Sequence, residues 1–361
     1  MNEPQDLSGD PTLDLPFAHG GPALDGRLRA TADNFVVEEE LGYGPSGEGE
    51  HVFLTVRKRG RNTHDVARAL AQHAGVAQVA VGYAGLKDRH AVTTQHFTVQ
   101  LPGRETPDWS PLEDDSLQIL ESARHHRKIR RGGLRGNRFV IRITNVSGDR
   151  TLADQRLGQL ARSGVPNYFG SQRFGRDGAN LPRVAALFAG HGRRPKREQR
   201  GLLLSAARAQ LFNQVLAARV TAGNWDHAIE GDVMLLAGSQ RQFKHDPSDQ
   251  TIEQRVQLLD VHPTGPLCGR IGRALQPESA AAEMEQTALS DKLDWIDGLK
   301  RFGLDADRRA LRLVVEQFKW RWLDETLEVS FALTSGAYAT VVVREVVKTK
   351  GSVEAAELAG Q

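Results

Sequence analysis

Hydrophobic and polar positions along this chain follow two periods, and the period changes where glycines and prolines cluster. A first strand-like run covers Phe35 to about Glu39, and the glycine-rich stretch GPSGEGEH separates it from a second, HVFLTVRKRG, that starts at His51. Asn62 and Thr63 can cap a helix from His64 to about Ala74, because Val66 and Leu70 lie four apart and Gly75 follows the last turn. VAVGY at 79 to 83 and VTTQHFTVQL from Val92 to Leu101 predict two strands joined by AGLKDRHA. RFVIRITNV predicts another strand, with Phe139, Ile141 and Ile143 on one face, and a helix from about Leu152 to Ser163 ends at Gly164. VPNYFGSQRFGRDG has too many glycines and aromatics for a regular element. Ala207, Leu211 and Val215 predict a long helix over Leu203 to Thr221. The segment 224 to 278 reads as loop-rich, and helical spacing resumes from Pro277 to Phe302. Leu327, Val329, Phe331 and Leu333 restore the two-residue period, and a short element from Tyr338 to Val347 closes the pattern. This mixture predicts an α/β (α+β) fold with antiparallel pairing.

Length changes the picture: 361 residues exceed one compact core, so two domains are expected. No apolar run approaches the roughly 20 residues that span a bilayer, and the N-terminus lacks a signal-peptide pattern, so a cytoplasmic protein without a membrane partner is expected. The single cysteine, Cys268, excludes an internal disulfide and a cysteine-rich zinc site. His90, His125 and His126 do not form a metal set, and neither GxGxxG nor GxxxxGK[ST] occurs, so neither a metal nor a nucleotide loop is expected.

Charge is uneven despite a net value of only +2. From Met1 to Asp25 there are five acids and no lysine or arginine, which predicts a disordered leader over 1–26, and 348–361 reads as a loose tail. From Ser122 to Arg142 there are eight lysines or arginines and no acid, and HGRRPKREQR at 191 to 200 is a second basic run. Two such runs in a nearly neutral chain point to RNA or DNA, with Arg127, Lys128, Arg130, Arg131, Arg135, Arg193, Arg194 and Lys196 as phosphate contacts.

The candidate for chemistry is Asp88 in GLKDRHAVTTQ, on the connection between two predicted strands. Lys87 and Arg89 flank it, and neighbouring cations favour an ionised carboxylate, a competent nucleophile or base. By itself the triplet is a weak signal, because such triplets are mostly exposed charged turns.

GLKDRHAVTTQ resembles the signature of the TruD-type tRNA pseudouridine synthases, and VPNYFGSQRFGRDGANL is similar to that family's second signature. DNFVVEEELGYGPSGEGEH, LRGNRFVIRI and SGAYATVVVRE keep the family's order, so the resemblance spans roughly residues 27 to 347. It implies a discontinuous catalytic domain, 27–164 and 312–347, with a mixed, largely antiparallel sheet, and an inserted family-specific domain, 165–311, the cleft between them holding RNA. It implies an isomerase that needs no cofactor and moves the ribose C1′ bond from N1 to C5 of uracil in tRNA, with uridine 13 of the D-arm as the usual target. Asp88 would attack either C1′ or the base of an unstacked nucleotide, and both routes stay open. Phe35, Asn137, Phe139 and Tyr338 would contact substrate together with Lys87, although Tyr338 stands where relatives tend to have phenylalanine. Arg29 falls where relatives carry a cation able to pair with the carboxylate; a phosphate contact or plain surface charge fits it equally. Asn167, Tyr168, Phe169, Gln172, Arg173 and Phe174 are expected to pack rather than to react. No protein partner is implied and a monomer is expected. The alternative from another class is a non-catalytic RNA-binding protein or tRNA folding chaperone of the same fold.

Overall fold

The computed structural model describes residues 9–191 and 195–349. In chain order it begins with strands β1 (Leu24–Arg27), β2 (Phe35–Glu40) and β3 (His51–Arg59), helix α1 (Thr63–His73), and strands β4 (Val81–Tyr83), β5 (Val92–Gln100), β6 (Leu117–His125) and β7 (Gly136–Gly148). Helix α2 (Arg150–Ser163) leads to β8 (Val165–Pro166), α3 (Asn180–Phe188), α4 (Arg197–Thr221), β9 (Val233–Leu236), β10 (Gln242–Lys244), α5 (Ile252–Gln257) and β11 (Val261–Leu267). Then come α6 (Ser279–Ala288), α7 (Leu293–Arg301), β12 (Asp307–Ala310), β13 (Arg312–Leu313), β14 (Glu316–Leu323), β15 (Thr326–Thr334), α8 (Ala339–Val343) and β16 (Val347–Thr349). By compactness the chain divides into a unit of 22–154, 315–336 and 347–361, and another of 1–21, 155–314 and 337–346.

The first of these units is built on one mixed sheet in the order β14-β15-β7-β2-β5-β3-β6, with β4 beside β5, and β1 beside both β7 and β16. Pairing is antiparallel except for β2 with β5 and β1 with β16, in line with the expected mixed, largely antiparallel sheet. The alternating pattern is what builds it. Phe35, Val37 and Glu39 of β2 are buried, and the register sets Phe139 of β7 opposite Val37 on one side and Phe331 of β15 on the other. Val52, Leu54 and Val56 meet Val66, Ala67 and Leu70 of α1 in the main core, each large side chain contributing about 1.5–3 kcal/mol by burial. Gly136, where β7 begins, admits no side chain: a Cβ there would lie 2.4 Å from the carbonyl oxygen of Leu333. β1, with its partner β16, places residues from both the expected leader and the expected tail in this sheet.

The other unit is organised by α4, whose side chains from Leu203 to Val220 are buried at helical spacing. A four-stranded sheet, β10-β9-β11-β12, takes three of its strands, β9, β10 and β11, from the segment that reads as loops in the sequence. Its strands are short, and β11 reads VHPTGPL, so prolines hide the strand period. The leader also departs from expectation. From Gly9 on it is described, and it is held at Leu15, whose carbonyl accepts from Arg344, and at Ala18 and His19, whose amides donate to Glu345 at 3.0 and 3.3 Å. Among the described residues no helix is long and apolar enough to cross a membrane.

Candidate active site

Asp88 lies in the loop between β4 and β5, which pair as an antiparallel hairpin. Three polar side chains fix that loop from behind. Thr63, the first residue of α1, accepts the amide of Lys87 at 3.0 Å and donates to Gln95 of β5 at 3.0 Å, while Gln95 donates to the carbonyl of Gly85 at 2.7 Å. Lys58 of β3 donates to the main-chain carbonyls of Asp88 at 3.1 Å and of Arg61 at 2.7 Å. Burial holds the Lys58 ammonium down at about 8, aided by the like charge of Lys87 and opposed by Asp88.

The carboxylate itself faces outward and is countered from below. Arg29 Nη2 donates to Asp88 Oδ2 at 2.6 Å, the arginine side chain being 9% exposed and the aspartate 43%. The same guanidinium lies 4.2 Å from the ring centroid of Phe35. Arg29 takes a left-handed backbone, φ 57°, a conformation that costs a non-glycine residue about 1–2 kcal/mol and that aims this side chain under the loop. Asp88 is therefore an ion-paired loop residue whose side chain remains partly exposed.

Lys87 turns the other way. Its side chain is 7% exposed, with Nζ 2.7 Å from Asn137 Oδ1 and 3.0 Å from Glu39 Oε1, whose side chain is fully buried. The Glu39 contact is one of charge, outside hydrogen-bond alignment, whereas His96 donates its amide to Glu39 Oε2 at 3.0 Å. Burial opposes ionisation of Glu39, but the bonds from His96 and the charge of Lys87 outweigh it and hold its carboxyl below the usual value.

The aromatic residues form a row across the sheet. Phe35 meets Phe139 edge-on, with 6.2 Å between ring centres, and Phe139 lies 5.4 Å from Phe331. Phe35, Phe139 and Phe331 are buried, and Asn137 is half-buried two residues before Phe139 on the same face of β7. Arg29, Phe35, Lys87, Asp88, Asn137 and Phe139 are thus brought together within one unit.

Tyr338 belongs to the other unit. Its hydroxyl accepts a hydrogen bond from Arg173 Nε at 3.0 Å, and its ring contacts Phe169 edge-on. Gly170 is tight against that ring, at 3.3 Å from a built Cβ. Asn213 clasps the backbone of Phe169 through both amide ends, at 2.8 and 2.9 Å, and Asn167 joins Arg309 to the carbonyl of Ala310. The VPNYFGSQRF stretch is accordingly a packed loop here.

Of the expected phosphate contacts, Arg127, Arg130, Arg131 and Arg135 are exposed in the loop between β6 and β7, anchored by buried Ile129, whose amide donates to Thr98 at 3.0 Å. Arg131 lies 4.1 Å from the centre of the Tyr83 ring, and Lys128 donates to the carbonyl of Val79. Lys196 is exposed just before α4, and Arg193 and Arg194 lie outside the described residues. Among the described residues no three His, Cys, Asp or Glu side chains are grouped as a metal ion would require.

Glu39, Lys58, Thr63, Gln95 and His96 are the site residues that motif reading passes over. Two of them carry a signal: Glu39 follows Phe35 and Val37, and Lys58 follows Val52, Leu54 and Val56, each a charge in the buried phase of a strand.

The family model for tRNA pseudouridine synthase D (TruD) matches residues 15–188 and 193–346. A tRNA pseudouridine synthase D of Xanthomonas campestris pv. campestris is 48% identical, covering 96% of this chain and 97% of its own length. Another, of Methylococcus capsulatus, is 47% identical over 93% of this chain and 94% of its own. A crystal structure described as a putative tRNA pseudouridine synthase D of Methanosarcina mazei superposes with a TM-score of 0.73 at 20% identity, covering 95% of this chain and 98% of that one, which shows the shared fold. A family match over nearly the whole chain, near-full-length relatives at almost half identity and the same fold converge, and the chain belongs to the tRNA pseudouridine synthase D family, isomerases that convert uridine to pseudouridine.

Proposed function

We propose that this chain isomerises a uridine of tRNA, uridine 13 of the D-arm, with Asp88 as the nucleophile. The observation that carries the reading is the accessible Asp88 carboxylate, ion-paired with the buried Arg29 guanidinium beneath it. The pairing holds the carboxylate in one direction, and the fixed loop removes the entropy of finding that geometry. In the reaction the C1′–N1 bond breaks, the uracil turns, C1′ bonds to C5, the proton on C5 leaves and N1 takes up a proton, so substrate and product are isomers. Asp88 forms a transient covalent bond either to C1′, while uracil is detached, or to the base. Neither position is reachable in a stacked helix, so the nucleotide is extruded before reaction. Residues 27–164 and 312–347 serve as the catalytic domain in this reading, and 165–311 as the inserted module. The exposed arginines of the β6–β7 loop, with Lys196, Arg193 and Arg194, contact phosphates.

The test compares wild type with Asp88→Asn on unmodified tRNA transcripts, measuring pseudouridine by mass spectrometry and binding by filter retention. Wild type is expected to yield one pseudouridine per tRNA and Asp88→Asn to bind without product. Product from Asp88→Asn would overturn the role of Asp88, and modification that persists when uridine 13 is replaced by cytidine would overturn the assigned target.

A further inference from the structure

The ammonium of Lys87 can only donate, so the atom of Asn137 that it meets at 2.7 Å has to be the amide oxygen. The other end of Asn137 is then its NH2 group, which makes no hydrogen bond among the described residues. Lys87 in turn cannot swing away without separating from the fully buried Glu39 carboxylate, 3.0 Å distant. Glu39 is itself held by the amide of His96. The chain from Glu39 through Lys87 to Asn137 therefore sets the direction of one amide beside the Asp88 loop.

We infer that Asn137 acts as a donor only, directed at a carbonyl oxygen of the uracil ring, and that Glu39 and Lys87 are the positioning residues that impose this direction. The inference rests on the reading of Asp88 and its surroundings as the site of isomerisation. Its chemical content comes from the symmetry of uracil. To present C5 in place of N1, the base makes a half-turn about the line through N3 and C6, and that turn exchanges O2 with O4. A donor aimed at one carbonyl position consequently meets an oxygen before the turn and again after it. Cytosine has one carbonyl and one amino group in those places, so it sets an N–H donor against the Asn137 amide at one stage or the other. A site built around a donor rejects a mismatched donor by leaving both groups unpaired. Asn137 thus both retains the base through its turn and selects uracil over cytosine.

The experiment uses full-length protein and tRNA transcripts in which the target uridine is replaced by 2-thiouridine or 4-thiouridine, because sulfur is a weak acceptor. Single-turnover rates in wild type should fall about ten-fold for at least one thio substrate, the scale of one weakened hydrogen bond. Asn137→Asp has the same size, still pairs with Lys87 and presents an oxygen in place of the NH2 group. It should be about a hundred-fold slower on uridine, with the thio penalty abolished and tRNA affinity unchanged. Lys87→Met and Glu39→Gln should slow the reaction less and shrink the thio penalty. A thio penalty of wild-type size in Asn137→Asp, or in Lys87→Met, overturns the inference. Product from Asp88→Asn would instead remove the reading on which it rests, so the two failures are distinguishable.

Discussion

Arg29 shows how much the candidate site asks of one residue. It holds a left-handed backbone, buries a charge, lies against the Phe35 ring and meets Asp88 at 2.6 Å. A lysine supplies the charge without the planar fork or the stacking surface. Arg29→Lys is expected to retain part of the activity and Arg29→Ala to lose about a hundred-fold or more in kcat with little change in KM, since the lost interaction orients the nucleophile rather than the tRNA. Steady-state kinetics of both variants check this, and a loss confined to KM would contradict it. At this scale the sequence was partly legible. Asp88 could be located on its connection from KDR and the flanking strand patterns, whereas the resemblance left Arg29, 59 positions away, equally a partner of that carboxylate, a phosphate contact or a surface charge, and folding decides for the pairing. Lys87 looks like a charged neighbour of Asp88 in sequence, but its side chain enters the interior to meet Glu39 and Asn137.

At the scale of elements, the β4–β5 loop is rigid because α1, β3 and β5 each contribute one side chain to it: Thr63, Lys58 and Gln95. Thr63→Val keeps the shape and removes the acceptor, leaving the Lys87 amide unsatisfied at a cost of about 1–3 kcal/mol, part of which appears as disorder of the loop. A slowed reaction with retained tRNA affinity is the expected outcome, read by single-turnover rates and filter binding. The loop between β6 and β7 works through exposure instead. If Arg127 and Arg130 both contact phosphates, changing them to glutamine should reduce the slope of log affinity against log salt by about 1.8, and an unchanged slope would remove them from the interface. Elements with a clear two-residue or four-residue period, such as β2, β7, β15 and α4, could be read from the chain. β9 to β11 could not, because strands of three to seven residues interrupted by Pro263 and Pro266 have no run long enough to show a period.

For the molecule as a whole, stability in acid is tied to buried groups that cannot accept protons. His262 receives hydrogen bonds from Arg312 at 3.0 and 3.1 Å, and burial, with the charge of Arg312, lowers its pKa to about 4. Because the folded pKa lies below the unfolded value of about 6.5, the unfolded chain binds the proton first as pH falls. The stability associated with a neutral His262 is therefore complete above about pH 6.5 and is lost toward pH 4, on the order of 2–3 kcal/mol. Melting curves between pH 7.5 and 4.5 should show a declining transition temperature in wild type and a flatter decline in His262→Asn. A decline of the same steepness in that variant would exclude the histidine as the cause. Glu39 adds a loss at lower pH, since its depressed pKa means that its contribution falls away only when protons reach a folded-state value below the ordinary carboxylate range. By itself the sequence determined the fold class, most of the longer elements and the family resemblance, because periodicity and short motifs are local properties encoded within a few residues of each other. Only the tertiary structure decided which cations face Asp88, that Lys87 points inward, and which way the Asn137 amide is turned. Those depend on contacts between residues far apart in the chain, and on burial that makes an unpaired charge too costly to leave in place.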